Sequence, residues 1–108
     1  MHVLKIIING ANGKMGQETV KAIENHPGFQ CVGKLSRLDD LGKAIRETQA
    51  DIAIDFTSPE VVYENTVICL ENKAHPIIGT TGLNQTQIAD LKKLALERKL
   101  SGIIAPNF

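Results

Sequence analysis

Three glycines stand three residues apart directly after the first apolar segment of the chain. Gly10, Gly13 and Gly16 follow the β-branched run Ile6–Ile8, and a helical pattern begins within this loop. The spacing is a variant of the dinucleotide fingerprint G-x-G-x-x-G, which requires a strand before it and a helix after it. Glycine permits positive φ and lets an anion approach the backbone amides closely. The loop therefore predicts a phosphate-binding turn, with a glycine-rich turn that holds no ligand as the alternative.

The residue that ends the second strand of a dinucleotide-binding sheet distinguishes the two nicotinamide cofactors. A carboxylate there accepts hydrogen bonds from the ribose hydroxyls, whereas an arginine binds the 2′-phosphate. The sequence places Ser36 and Arg37 at this point, with no carboxylate before Asp39. The planar guanidinium of Arg37 suits a phosphate. The pattern favours NADPH, with a solvated surface arginine as the alternative interpretation.

A second glycine-flanked turn, Gly79–Gly82, contains two threonines. Its amides and hydroxyls suit the ribose or carboxamide at the nicotinamide end of a cofactor, and its glycines allow close approach. We expect this turn to lie beside the first glycine loop, across the point where the strand order reverses.

Apolar strands and helical patterns alternate through the whole chain, so the elements that position these loops are predictable. Strands are predicted over residues 3–9, 29–35, 51–56, 76–79 and 101–105, and helices over 14–25, 39–48, 58–72 and from 84 through 95. This alternation predicts an α/β fold, a Rossmann-like doubly wound parallel sheet of five strands in the order 3-2-1-4-5. Ligands of such sheets bind outside the carboxyl ends of the strands. Every predicted strand ends there in small, polar or aromatic residues.

Composition narrows the class of protein further. Twelve basic and twelve acidic residues cancel, so no overall field favours nucleic acid or an anionic membrane. No apolar run approaches the ~20 residues that span a bilayer, and the N-terminus does not resemble a signal peptide. Cys31 and Cys69 lie far apart in apolar patterns, which predicts buried packing and no metal site. We expect a cytoplasmic protein.

No catalytic acid is expected in this chain. His2, His26 and His75 fall at strand starts or helix ends, opposite the predicted ligand edge. Asp55 lies at that edge, where we interpret it as a structural hydrogen-bond acceptor. No acid–base pair can be assembled from these groups.

Four motifs in order resemble those of dihydrodipicolinate reductase, also called 4-hydroxy-tetrahydrodipicolinate reductase. They are residues 10–16, 55–59, 79–82 and 105–108, and the resemblance covers all 108 residues. It implies transfer of hydride from NADPH or NADH to the dihydrodipicolinate precursor, giving tetrahydrodipicolinate in diaminopimelate and lysine biosynthesis. The cofactor-binding residues that it implies are Gly10, Ala11, Asn12, Gly13, Lys14, Met15, Arg37, Phe56, Gly79, Thr80, Thr81, Ala105, Pro106, Asn107 and Phe108.

The resemblance also implies what each group does. Residues 10–15 would hold the pyrophosphate, and residues 79–81 would meet the nicotinamide end. Phe56 would pack against the cofactor, and residues 105–108 would close the pocket at a domain hinge. Many members carry an acidic residue where this chain has Ser36, so we expect NADPH to be preferred, with NADH as the second cofactor.

Residues 1–108 are expected to form an NAD(P)-binding domain alone. In the family a second domain builds a tetramer, binds the small dicarboxylate substrate and supplies the proton, and we expect that domain to lie outside this chain. The full-length protein would then be a homotetramer with no nucleic-acid or membrane partner. Two alternatives stay open: an NAD(H)-sensing domain without chemistry, and the cofactor domain of another two-domain dehydrogenase, such as a homoserine or aspartate-semialdehyde enzyme.

Overall fold

Strands and helices alternate along the part of the chain that the computed structural model describes, which is residues 3–100 and the backbone of residues 103–104. The strands are β1 (Leu4–Asn9), β2 (Phe29–Leu35), β3 (Ile52–Asp55), β4 (His75–Ile78) and β5 (Ile103–Ile104). The helices are α1 (Lys14–Glu24), α2 (Leu41–Thr48), α3 (Val62–Glu71) and α4 (Gln85–Glu97). None of the described helices is long and apolar enough to cross a membrane.

All strand pairs are parallel, and the five strands lie in the order β2-β1-β3-β4-β5. The predicted Rossmann-like α/β sheet is therefore confirmed, but the predicted order 3-2-1-4-5 is wrong. β3 pairs directly with β1, from Ile6 opposite Ile52 to Asn9 opposite Asp55. α2 packs on the face of the sheet opposite α1, so its right-handed crossover places β3 on the other side of β1 and leaves the exposed β2 at the edge.

The interior strand β1 contributes to two apolar layers, one on each face of the sheet. Ile7 packs with Leu41 and Ile45 of α2 and with Cys69 of α3 on one face of the sheet. Ile6 and Ile8 pack on the other face, against the buried stripe of α1. Because consecutive side chains of a strand point to opposite faces, the isoleucine run serves both layers.

The starts of the helices follow local sequence rules with one exception. Asn84 and Gln87 form a reciprocal capping box at the start of α4, and Asp40 accepts a hydrogen bond from the amide of Lys43 to cap α2. The predicted helix start at Ser58 is wrong, since α3 begins at Val62. The carbonyl of Ser58 instead accepts bonds from the amides of residues 61 and 62, both at 3.1 Å, which makes this segment a turn.

Candidate nucleotide-binding site

A cavity of about 470 Å³ opens at the carboxyl edge of the sheet, between the ends of β1, β2 and β3. Connections run in opposite directions from β1 and β3, so this crevice is the topological switch point at which α/β sheets bind ligands. The sequence-predicted site residues among its lining are Gly10, Asn12, Gly13, Arg37 and Phe56. The order of the strands differs from the prediction, yet these residues meet as predicted.

The glycine loop packs closely against neighbouring backbone at Gly10 and Gly16 and is open at Gly13. Gly10 has φ +85°, and a Cβ there would lie 2.6 Å from the carbonyl oxygen of Phe56. A Cβ at Gly16 would overlap the carbonyl oxygen of Gly10. Gly13 differs, because its φ is −75° and the nearest atom to an added Cβ would be 3.7 Å away. The fold requires glycine at positions 10 and 16, whereas at position 13 the described structure would accommodate a side chain.

The first turn of α1 presents its amides to this open space. α1 begins at Lys14, and its N-cap residue Gly13 has no side chain to accept bonds from those amides. Ala11 is buried beneath the loop with the α1 core, whereas Lys14 and Met15 are exposed beside it. Helical spacing predicts Met15 on one stripe with Val20 and Ile23, but its exposure of 45% shows that it faces outward. An uncapped helix start with an open approach fits a pyrophosphate.

The end of β2 carries both signs of charge. Arg37 lines the cavity with its side chain exposed. The amide and hydroxyl of Ser36 donate to Asp39 Oδ2 at 2.8 and 3.2 Å. Sequence reasoning placed no carboxylate here, but Asp39 folds back to the strand end and also lines the cavity. The serine three residues before an aspartate was the available signal for such a turn.

The positive charge of Arg37 acts on Glu60, which lies in the turn that follows β3. The pKa of Glu60 is lowered by a hydrogen bond from its own backbone, by the Ser58 side chain and by the positive charge of Arg37. Glu60 is fully exposed, so it stays ionised and solvated near the guanidinium. Arg37 is therefore near enough to Glu60 to contribute, as the smallest of these causes, to the lowered pKa of that carboxyl.

The turn Gly79–Gly82 lies one strand farther from the glycine loop than predicted. β3 separates β4 from β1, so the two turns are not adjacent. Thr80 is buried, and its hydroxyl donates to the backbone and the carboxylate of Asp55, both at 3.2 Å. Thr81 is exposed, and Gly82 packs on Pro59. Only the backbone of this turn and Thr81 are open to a ligand among the described atoms.

The remaining candidate residues are peripheral or lie outside the described part. His26 accepts a hydrogen bond from the amide of Gly28 at 3.0 Å and stacks on Phe29, at the opposite end of the sheet. His75 begins β4, also away from the loops. The described residues contain no cluster of metal-ligating side chains. His2 and residues 105–108 lie outside the described residues, so the predicted roles of Ala105, Pro106, Asn107 and Phe108 stay predictions.

Comparison with known proteins agrees with this geometry. Residues 4–108 match the family model described as "Dihydrodipicolinate reductase, N-terminus". The 4-hydroxy-tetrahydrodipicolinate reductases of Legionella pneumophila (strain Lens) and Coxiella burnetii (strain Dugway 5J108-111) are 49% and 46% identical to it. The matches cover 96% and 97% of this chain, but only 43% and 44% of those proteins.

A solved structure shows the same relationship. Dihydrodipicolinate reductase from Paenisporosarcina sp. TG-14, with bound dipicolinate, superposes with a TM-score of 0.89 and 30% identity. The superposition covers 97% of this chain and 48% of that one, so the chain spans less than half the length of these relatives. The chain therefore belongs to the dihydrodipicolinate reductase family, whose N-terminal part it matches.

Proposed function

We propose that residues 1–108 are the NAD(P)H-binding domain of a 4-hydroxy-tetrahydrodipicolinate reductase. The observation that carries this proposal is the glycine loop: Gly13 has an ordinary φ and open space, directly before the uncapped start of α1. A side chain there would strain nothing in the protein and would obstruct only a ligand. The family match names the class of reaction in which such a loop serves.

In this role the chain binds and orients, and does not itself move protons. The amides at the start of α1 would hold the pyrophosphate, and the adenosine half would enter the cavity beside Phe56 and Arg37. When bound, the cofactor supplies a hydride from its nicotinamide ring. The turn at residues 79–81 would face that end, through its backbone and the exposed Thr81.

We further propose that NADPH is preferred to NADH. Arg37 lines the cavity at the end of β2 and suits a 2′-phosphate. Asp39 opposes this preference to some extent, because its carboxylate is held near the same point by Ser36. The guanidinium can bond a 2′-phosphate directly, whereas the exposed Asp39 carboxylate acts on it only through repulsion that solvent screens, so the arginine dominates.

In this proposal, substrate binding and proton transfer are carried out by a part of the protein outside residues 1–108. A second domain outside these residues would bind the dicarboxylate substrate, supply the proton and form a homotetramer in the cytoplasm. Among the described residues, no histidine lies at the ligand edge, and Asp55 is occupied by structural hydrogen bonds. The catalytic acid and the cationic pocket for the substrate would therefore lie in the second domain.

Oxidation of NADPH by the full-length protein tests the function, with the freshly generated product of the preceding synthase as substrate. We expect turnover with that substrate, and lower KM for NADPH than for NADH. Cofactor binding without oxidation would instead indicate the sensing domain. Turnover only with homoserine or aspartate semialdehyde would assign the chain to another dehydrogenase.

A further inference from the structure

Asp55 is a buried carboxylate at the junction of two ligand-side turns. It ends β3 and is only 6% exposed. Its Oδ1 accepts from the amide of Thr57 at 2.8 Å, from the hydroxyl of the same residue, and from the hydroxyl of Thr80 at 3.2 Å. Its Oδ2 accepts from Asn65 Nδ2 at 3.3 Å. Among the described residues these donors are all neutral.

The two turns that Asp55 joins belong to different parts of the site. Thr57 lines the cavity at the end of β3, where the adenosine half of a dinucleotide would lie. Thr80 belongs to the turn after β4, which lies beyond the cavity lining. The backbone strengthens the same connection, because the amide of Gly79 donates to the carbonyl of Asp55 at 2.9 Å. Asp55 thus bonds the turn after β3 to the turn after β4 through its carboxylate, beside a longer direct contact of 3.5 Å from the Thr80 hydroxyl to the carbonyl of Thr57.

We propose that Asp55 is a positioning residue for the cofactor, fixing the turn that receives its adenosine half relative to the turn that receives its nicotinamide half. The inference rests on the proposed NAD(P)H binding. A ligand that bridges two turns gains affinity when they are held in the bound arrangement beforehand, and loses it when they must be ordered on binding. Asp55 acts through Thr57 and Thr80, since its own oxygens are buried and already bonded.

A positioning role predicts that Asp55 affects binding of the whole cofactor but not binding of a ligand that matches its adenosine half alone. A ligand that occupies only the cavity does not need the two turns to be aligned. Weakening the connection should therefore lower affinity for NADPH and leave affinity for 2′,5′-ADP, which matches the adenosine half, nearly unchanged. A residue that only stabilises the fold would affect both ligands in proportion or neither.

Three variants of the full-length protein make the comparison. Asp55→Asn keeps the size of the side chain but replaces a charged acceptor by a neutral one and places an NH₂ group against a donor. Thr80→Val removes the hydroxyl that reaches Asp55 at nearly constant volume. Thr66→Val is the matched control, because the buried Thr66 hydroxyl donates only within its own helix, to the carbonyl of Val62.

Calorimetric titration of each variant with NADPH and with 2′,5′-ADP gives the result. We expect the Kd of NADPH to rise about tenfold in Asp55→Asn and in Thr80→Val, the scale of a hydrogen bond to a charged group. The Kd of 2′,5′-ADP should change less than about twofold in both, and Thr66→Val should change neither. Thr80→Ser, which restores the hydroxyl, should bind NADPH like the wild type.

Each contrary result overturns the inference in a distinct way. Unchanged NADPH affinity in both variants would make Asp55 structural only. An effect of Thr80→Val without one of Asp55→Asn would mean that the Thr80 hydroxyl acts through the backbone carbonyl of Asp55, its other acceptor, and not through the carboxylate. Equal losses for both ligands would mean that Asp55 stabilises the fold or the adenosine site alone and does not align the two turns. If Asp55→Asn does not fold, Thr80→Val and Thr80→Ser decide alone, with no loss in Thr80→Val counting against the role. A wild-type protein that binds neither ligand would refute the proposed function itself.

Discussion

Replacing Gly13 by valine should abolish cofactor binding without unfolding the protein. Gly13 is the N-cap of α1 with φ −75° and ψ 169°, an extended conformation that valine adopts readily. An added Cβ would meet no atom closer than 3.7 Å. The free energy of unfolding should therefore change by no more than about 1 kcal/mol, the usual scale of an N-cap substitution.

The effect on binding should be far larger. The valine side chain would occupy the space in which a pyrophosphate reaches the amides at the start of α1. Each hydrogen bond to a charged group contributes about 1.5–3 kcal/mol, and displacing the pyrophosphate removes at least two of them. The loss of about 3–6 kcal/mol corresponds to a Kd for NADPH that is about 10²- to 10⁴-fold higher.

Calorimetry with NADPH and thermal unfolding followed by circular dichroism measure the two effects separately. Gly16→Ala is the contrasting variant, because a Cβ there overlaps the carbonyl oxygen of Gly10 and should destabilise the fold itself. Asn25→Val, at the exposed far end of α1, should leave both measurements near the wild type. Binding by Gly13→Val within tenfold of the wild type would refute the phosphate role of the loop.

Four other predictions concern cofactor preference, thiol reactivity and catalysis. Arg37→Ala should raise the Kd of NADPH about tenfold, which is the low end for a charge-assisted bond at an exposed side chain. The Kd of NADH should rise less than about twofold in the same titration. Equal losses of affinity for the two cofactors would contradict a 2′-phosphate role. Asp39→Asn should raise the ratio of NADPH to NADH affinity in the same assay, and a lowered ratio would contradict the repulsion assigned to its carboxylate. Burial raises the pKa of the Cys69 thiol to about 12. At pH 8 iodoacetamide should therefore label the half-buried Cys31 first and Cys69 only on unfolding. Peptide mass spectrometry would show the order of labelling. Residues 1–108 expressed alone should not oxidise NADPH with the synthase product, and a rate within tenfold of the full-length protein would place the catalytic groups within this chain.

Local sequence rules predicted the elements well because those rules act over a few residues. The isoleucine run of β1, the glycines of the first loop and the Asn84 cap each define their own segment. The order of the strands was wrong because it depends on which face of the sheet each connection crosses. The apolar stripe of α2, with Leu41 and Ile45, would fit either face, so nothing in its sequence distinguishes the two orders.

Within the site, residue types were predictable and side-chain directions were not. Gly10, Arg37 and Phe56 reach the cavity because any strand end in this fold would bring them to that edge. The return of Asp39 to Ser36 and the inward turn of the Thr80 hydroxyl depend on donors and acceptors brought together by the tertiary fold. Sequence spacing alone does not specify such contacts.

The connection between β2 and α2 differs from the glycine loop in how firmly it is bound to its surroundings. Gly10 is confined by the backbone of Phe56, so substitutions in that loop disturb two segments at once. Arg37 and Asp39 are exposed, and Asp39 is bonded to Ser36 of the same connection. Mutation can therefore alter this connection while the glycine loop stays intact. If Arg37 and Asp39 set the cofactor preference as proposed, that preference can change in few evolutionary steps, and an engineer who wishes to reverse it should begin there.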